Sequence, residues 1–107
     1  MVGKLFRVIF SRKAKQRLKD ISDYNTRTAS SAVSKKIRQE IVKEARKLEK
    51  LPTSKPQLPD TDDYDYEVRY TKAWSFKIIF QVLGNIVSIL TVRHDKENPE
   101  DIKKDLE

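Results

Sequence analysis

The sequence predicts an α+β fold with the element order β-α-α-β-β-β-α. It consists of an N-terminal strand, a helical hairpin, a three-stranded antiparallel meander completing one sheet, and a short C-terminal helix. Three observations lead there. Apolar residues recur at helical spacing from Ala14 to Leu48. From Tyr66 to Arg93 the period shortens to two, with β-branched and aromatic residues enriched. Between these regimes lies PTSKPQLPD, which holds Pro52, Pro56 and Pro59 and breaks both patterns.

The elements follow in order. Leu5 to Phe10 is rich in β-formers and reads as the first strand. Ser11 is positioned to cap a helix beginning at Arg12. Ala14, Leu18 and Ile21 form its apolar stripe and Tyr24 extends it. Tyr24-Asn25-Thr26 is the expected break, because Asn tolerates the left-handed backbone that ends helices. A second helix is predicted from about Thr28 to Lys50. Ala29, Ala32, Val33, Ile37, Ile41, Ala45 and Leu48 keep its period, and Glu40 and Glu44 are placed to pair with Lys43 and Lys47. Pro52 disfavours helix at Leu51 and stops it. Asp60, Asp62, Asp63 and Asp65 then cluster in the loop. Their spacing lacks the glycine and distant glutamate of a calcium loop, so a solvated loop is expected and no metal site.

In the sheet, alternation places Tyr66, Val68 and Tyr70 on one face of the second strand and Asp65, Glu67 and Arg69 on the other. Trp74, Phe76, Ile78, Phe80 and Val82 share one face of the third strand, expected as core. Ser75, Lys77, Ile79 and Gln81 share the other. Gly84-Asn85 is a hairpin turn leading into a strand from Ile86 to Val92. Asn98-Pro99-Glu100-Asp101 starts the last helix: Asn caps, Pro takes the first position, and two acids complement the dipole.

Composition narrows the chemistry. The 107 residues suit one domain over 1–107 with one modest core. With no cysteine and one histidine there is no thiol nucleophile and no thiolate or multi-histidine metal centre. Gly3 and Gly84 are the only glycines, which excludes a glycine-rich phosphate loop. No signal peptide or membrane span is expected, and the lack of cysteine fits a cytoplasmic setting. The net charge of +7 is unevenly spread. Residues 1–60 hold 16 Lys/Arg against 6 Asp/Glu, and residues 61–107 hold 7 against 10. A basic half of this kind attracts nucleic acid, a ribosome or an acidic protein, or simply solubilises a helical face.

The candidate site is a cationic sheet face. Arg69, Lys77 and Arg93 are expected on one side, with His94 beside them. Arg and Lys hold a phosphodiester, and His titrates near neutrality, which suits proton transfer in RNA cleavage without metal or cofactor. In this reading Arg69, Arg93 and His94 are catalytic, while Lys77, Lys72, Lys47 and Lys50 bind RNA or phosphate. The plainer alternative pairs Arg69 with Glu67 or the Asp60–Asp65 acids, and leaves Lys77 solvated and His94 structural. Tyr64, Tyr66, Tyr70 and Trp74 offer a base-stacking platform in the first reading. In the second they are core, which suits Tyr66 and Trp74 best.

Three stretches carry a family resemblance: FSRKAKQRLKDISDYN, YEVRYTKAWSFKIIFQV and IVSILTVRHDKENP. Together and in this order they resemble the opening strand and helix, the sheet core and the closing strand of the RelE/ParE superfamily. The resemblance implies a toxin of a type II toxin–antitoxin system, bound to a cognate antitoxin as a heteromer. It also implies one of two targets. RelE-like members cleave messenger RNA on the ribosome, whereas ParE-like members inhibit DNA gyrase by binding it. Arg69, Arg93 and His94 match positions of the ribonuclease branch, and metal-independent mRNA cleavage is the leading expectation. The gyrase mode and an inactive basic binding module are the alternatives. No Tyr follows Tyr70 to supply the terminal catalytic tyrosine of some ribonuclease members, and the long helical hairpin looks more like ParE.

Overall fold

The computed structural model describes residues 5–106. Its elements are β1 (Arg7–Phe10), α1 (Arg12–Thr28), α2 (Ser31–Arg46), two single 3-10 turns (Lys47–Glu49 and Pro52–Ser54), β2 (Arg69–Ala73), β3 (Phe76–Leu83), β4 (Ile86–His94) and α3 (Pro99–Lys104). The order matches the sequence expectation. The four strands form one sheet in the order β1-β4-β3-β2. β1 pairs parallel with β4, and β2, β3 and β4 form the antiparallel meander.

The helical hairpin is set by two serines. Ser11 is extended, and its hydroxyl accepts the Ala14 N–H at 3.0 Å while donating to the Leu90 carbonyl at 3.0 Å. One side chain thus starts α1 and ties it to β4. Ser30 caps α2 in the same way by accepting the Val33 N–H at 3.1 Å. The helix break lies at Ala29-Ser30, later than Asn25. The Asn25 amide donates to the Ile21 carbonyl one turn back at 2.8 Å, which keeps it inside the helix. The two helices then meet at Ser34, buried, whose hydroxyl donates to the Ser22 carbonyl at 2.9 Å.

The sheet has an apolar cluster on each face. Toward α1 and α2 lie Ala14, Leu18, Ile41, Ala45 and Leu48 with Ala73, Ile78, Phe80, Val87, Ile89 and Val92. On the opposite face, Leu58, Val68, Ile79 and Ile102 pack with Tyr64, Tyr66, Tyr70, Leu90 and Leu106 under the proline-rich loop and α3. A β-bulge allows the second cluster. The register shifts at Ile79/Phe80, so Ile79 opposes Thr91 while Phe80 opposes Ile89. Leu90 and Thr91 then both serve the α3 side. Bulges are invisible to a strict two-residue count, so a single core was expected. The β1 edge is closed: Phe6 N–H donates to the Glu49 carbonyl and Arg46 Nη1 donates to the Val8 carbonyl at 3.4 Å.

α2 runs Ser31–Arg46 where about Thr28–Lys50 was expected, β4 extends to His94, and three strand starts move. β1 starts at Arg7, leaving Leu5 exposed. β2 starts at Arg69, and the chain from 56 to 58 pairs along Val68 to Tyr70. Trp74 lies in the β2–β3 turn and not in a core strand; it is 55% exposed.

Candidate functional site

The two hairpins of the meander use the same two-residue connection. Ala73 pairs with Phe76 around Trp74-Ser75, and Leu83 pairs with Ile86 around Gly84-Asn85. Both take positive φ at the first turn residue: 59° at Gly84 and 55° at Trp74. That position is normally given to glycine, since any Cβ there crowds the backbone. Gly84 obeys the rule. Trp74 breaks it, at a penalty of roughly 1–2 kcal/mol for a non-glycine residue in this region.

Trp74 stands at the mouth of an open groove of about 640 Å³. Ile21, Tyr24 and Asn25 of α1 and Ile37 of α2 form one wall, and Phe76, Val92 and His94 of the sheet form the other. Arg17, Arg93 and Glu97 lie along it. The exposed rings of Trp74 and Tyr24 line a cleft whose apolar walls are joined by a charged border of Arg17, Asp20, Arg93 and Glu97.

The expected cationic face divides. Lys72, Lys77 and Arg93 are cross-strand partners on three adjacent strands and share the α3 face. Arg69 opposes Phe80, which faces the helices, so Arg69 lies on the other side of the sheet. The turn explains the difference. A two-residue turn at 74–75 pairs even positions of β2 with odd positions of β3, so Tyr70 and Phe76 sit on opposite faces rather than on one.

Most of these cations are already partnered. Arg69 bonds Glu67 at 2.8 Å and the Lys55 carbonyl at 2.6 Å. Lys72 reaches Asp95 at 3.4 Å, and Lys77 lies over the Tyr70 ring, 5.3 Å from its centroid. Lys47 pairs with Glu44 at 2.7 Å; Lys50 is exposed. Arg93, whose side chain is only 14% exposed, donates from Nε to both Glu97 oxygens at 3.0 Å and from Nη1 to Asp105 at 2.8 Å. The Glu97 hydrogen bonds, joined by Asp105, raise the Arg93 pKa further above its usual value.

Sequence reasoning missed Arg17, Asp105 and Thr91, which complete this cluster. Arg17 grips Asp105 with two bonds of 2.9 and 2.7 Å, and the Thr91 hydroxyl donates to it at 2.7 Å. Burial opposes the Asp105 charge, yet bonds from Arg17, Arg93 and Thr91 outweigh it and hold the carboxyl far below the ordinary range. Glu97 is also lowered, chiefly by its hydrogen bond from Arg93. Residues 17, 91 and 105 share no local motif, so no sequence signal joined them.

His94 lies at the groove but apart from Arg69. Its Nδ1 accepts the Lys96 N–H at 3.1 Å, so in the neutral ring the proton sits on Nε2. Its ring meets Phe76 edge-on with centroids 5.5 Å apart. The backbone N–H of His94 donates to Glu97 at 2.8 Å. No group of three or more His, Asp or Glu able to hold a metal occurs among the described residues. No helix among them is long and apolar enough to cross a membrane.

A family model described as "ParE toxin of type II toxin-antitoxin system, parDE" matches residues 8–99. Among solved structures, a chain from "Chromosomal ParDE TA system from P. aeruginosa" superposes with a TM-score of 0.71. It covers 86% of this chain and 98% of that chain at 21% identity, a likeness of fold. No curated protein matches the sequence.

Proposed function

The chain belongs to the ParE toxin family of type II toxin–antitoxin systems, and from that premise we propose that it arrests growth by binding DNA gyrase, without cleaving RNA. The observation that carries this reading is the division of the cationic set. A metal-independent ribonuclease needs its phosphate-binding cations and its proton-transfer group around one phosphodiester. Here Arg69 is on the opposite sheet face from Lys77 and Arg93. Arg93 has its guanidinium bound to Glu97 and Asp105. A carboxylate already in place is a strong competitor for an incoming phosphate. In this reading Arg69 and Arg93 serve the fold through Glu67, Glu97 and Asp105, and the expected catalytic roles of Arg69, Arg93 and His94 are not used.

The groove is the docking site we assign to a cognate antitoxin. A cleft with apolar walls and a charged border, lined by exposed Trp74 and Tyr24, suits an amphipathic peptide that buries one face. Strain held at Trp74 is consistent with a side chain placed for binding rather than for stability.

The test is a supercoiling assay with purified gyrase, run beside an mRNA cleavage assay on translating ribosomes. The expected result is loss of supercoiling with intact message. Cleaved message with normal supercoiling overturns the gyrase reading and restores the ribonuclease.

A further inference from the structure

We propose that the outer face of α2 docks duplex DNA through its phosphate backbone. Lys36 and Lys43 are seven residues apart and Lys47 follows four later, which places them along one line of the helix. That line runs opposite to buried Ile41 and Ala45. It is roughly 17 Å long at 1.5 Å per residue. Lys35 flanks it and Lys50 lies beyond its end, both exposed.

The row is under-neutralised. Lys47 pairs with Glu44, while Lys35, Lys36, Lys43 and Lys50 make no ion pair with any described residue. Lys43 and Lys47, one turn apart, carry like charge, with Glu40 and Glu44 as the acids that act on Lys47. Duplex DNA carries one negative charge per ~1.7 Å of axis, so a straight row of this length meets many phosphates at once.

The rest of the surface favours this partner. From Lys36 to Lys47 there is no exposed large hydrophobic side chain and no aromatic one, and exposed Val33 and Leu51 lie beyond the two ends of the row. A protein partner would need an anchoring pocket or ring there, and a single strand would need rings to stack on. A rigid polyanion needs neither. The acidic loop is kept away from this row. Asp60 lines a small cavity with Lys77 and Lys103, and Tyr64 and Tyr66 of the same loop pack in the cluster on the α3 side of the sheet. The charge is thus separated across the sheet, with the basic helix outward. This inference goes beyond gyrase binding and stands on DNA alone.

The experiment measures binding of the full chain to a fluorescent mixed-sequence duplex of about 20 base pairs while salt rises from about 50 to 200 mM. The comparison is a Lys36→Gln/Lys43→Gln/Lys50→Gln variant. These side chains are exposed and unpaired, so circular dichroism should match the parent and the thermal midpoint should not fall below it. The expected result is salt-dependent binding by the parent. In the variant, the slope of log affinity against log salt should fall in magnitude by about 2.7, at ~0.9 for each phosphate no longer neutralised. Lys72→Gln, on the sheet's other side, should leave the slope unchanged. A variant that keeps the parental slope overturns the proposal. So does equal or tighter binding of the parent to a single-stranded oligonucleotide of the same length, or to polyglutamate.

Discussion

Trp74 shows how one residue reveals a competing demand. The β3–β4 turn uses Gly84 at its positive-φ position, as hairpin geometry favours. The β2–β3 turn has the same geometry and places the largest side chain there. Trp74→Gly should therefore relieve backbone strain. Part of the gain is offset by contacts of the half-covered indole and by the chain entropy of a new glycine. The expected net effect is a rise in stability of about 0.5–1 kcal/mol, read as a higher urea midpoint. The same substitution should weaken binding of the cognate antitoxin at least about tenfold, since exposed Trp is a frequent binding hot spot. A gain in stability with unchanged antitoxin affinity would detach Trp74 from the groove's proposed role.

At the scale of elements, α3 is held by two kinds of contact. Ile102 enters the second apolar cluster beside Leu106, whose carbonyl accepts the Tyr66 hydroxyl proton at 3.2 Å. Asp105, just past the helix, draws Arg17 of α1, Arg93 of β4 and Thr91 together. Its side chain is 4% exposed, so neutralising it takes a buried partner from both guanidinium groups, leaving Arg93 to Glu97 and Arg17 to Asp20. Asp105→Asn should cost about 3 kcal/mol at pH 7, within the range for breaking a buried pair. Neighbouring surface pairs such as Lys19–Asp23 contribute well under 1 kcal/mol. The pH dependence has a definite sign. The folded pKa values of Asp105 and Glu97 are depressed, so the unfolded chain takes up protons first as pH falls. Their stabilisation is fully present above about pH 5 and is lost progressively below about pH 4. Urea midpoints at pH 7, 4 and 2.5 should therefore converge between parent and Asp105→Asn. A gap that stays constant down to pH 2.5 would contradict the ionic account of α3 docking.

Across the whole molecule, charge is arranged by side of the sheet. The net +7 is concentrated in the helical hairpin, while acidic residues serve the loop and α3. Self-repulsion among the α2 lysines lowers stability at low ionic strength and is screened within a Debye length of ~10 Å at 0.1 M salt. Raising NaCl from about 20 to 300 mM should increase the thermal midpoint of the parent. The increase should be smaller for the Lys36→Gln/Lys43→Gln/Lys50→Gln variant, in which the repulsion is already reduced. The buried Arg17–Asp105–Arg93 cluster should respond little, because it is shielded from mobile ions.

The elements and their order follow from patterns local to the chain. Helical spacing through Leu18, Ile41, Ala45 and Leu48, the Ser11 and Asn98 caps, and Gly84 in its turn all act within a few residues, and short-range chemistry is written along the chain. The family resemblance was legible for the same reason, since it rests on ordered local motifs. Which side chains share a face depends instead on register between strands. The phase of β2 against β3 depends on where two residues turn at Trp74-Ser75, and the phase of β4 depends on a bulge between Ile79 and Phe80. A one-residue change in either moves every side chain to the opposite side. That is why Arg69 parted from Lys77 and Arg93, and why Arg17, Thr91 and Asp105, distant in the chain, met around a single carboxylate.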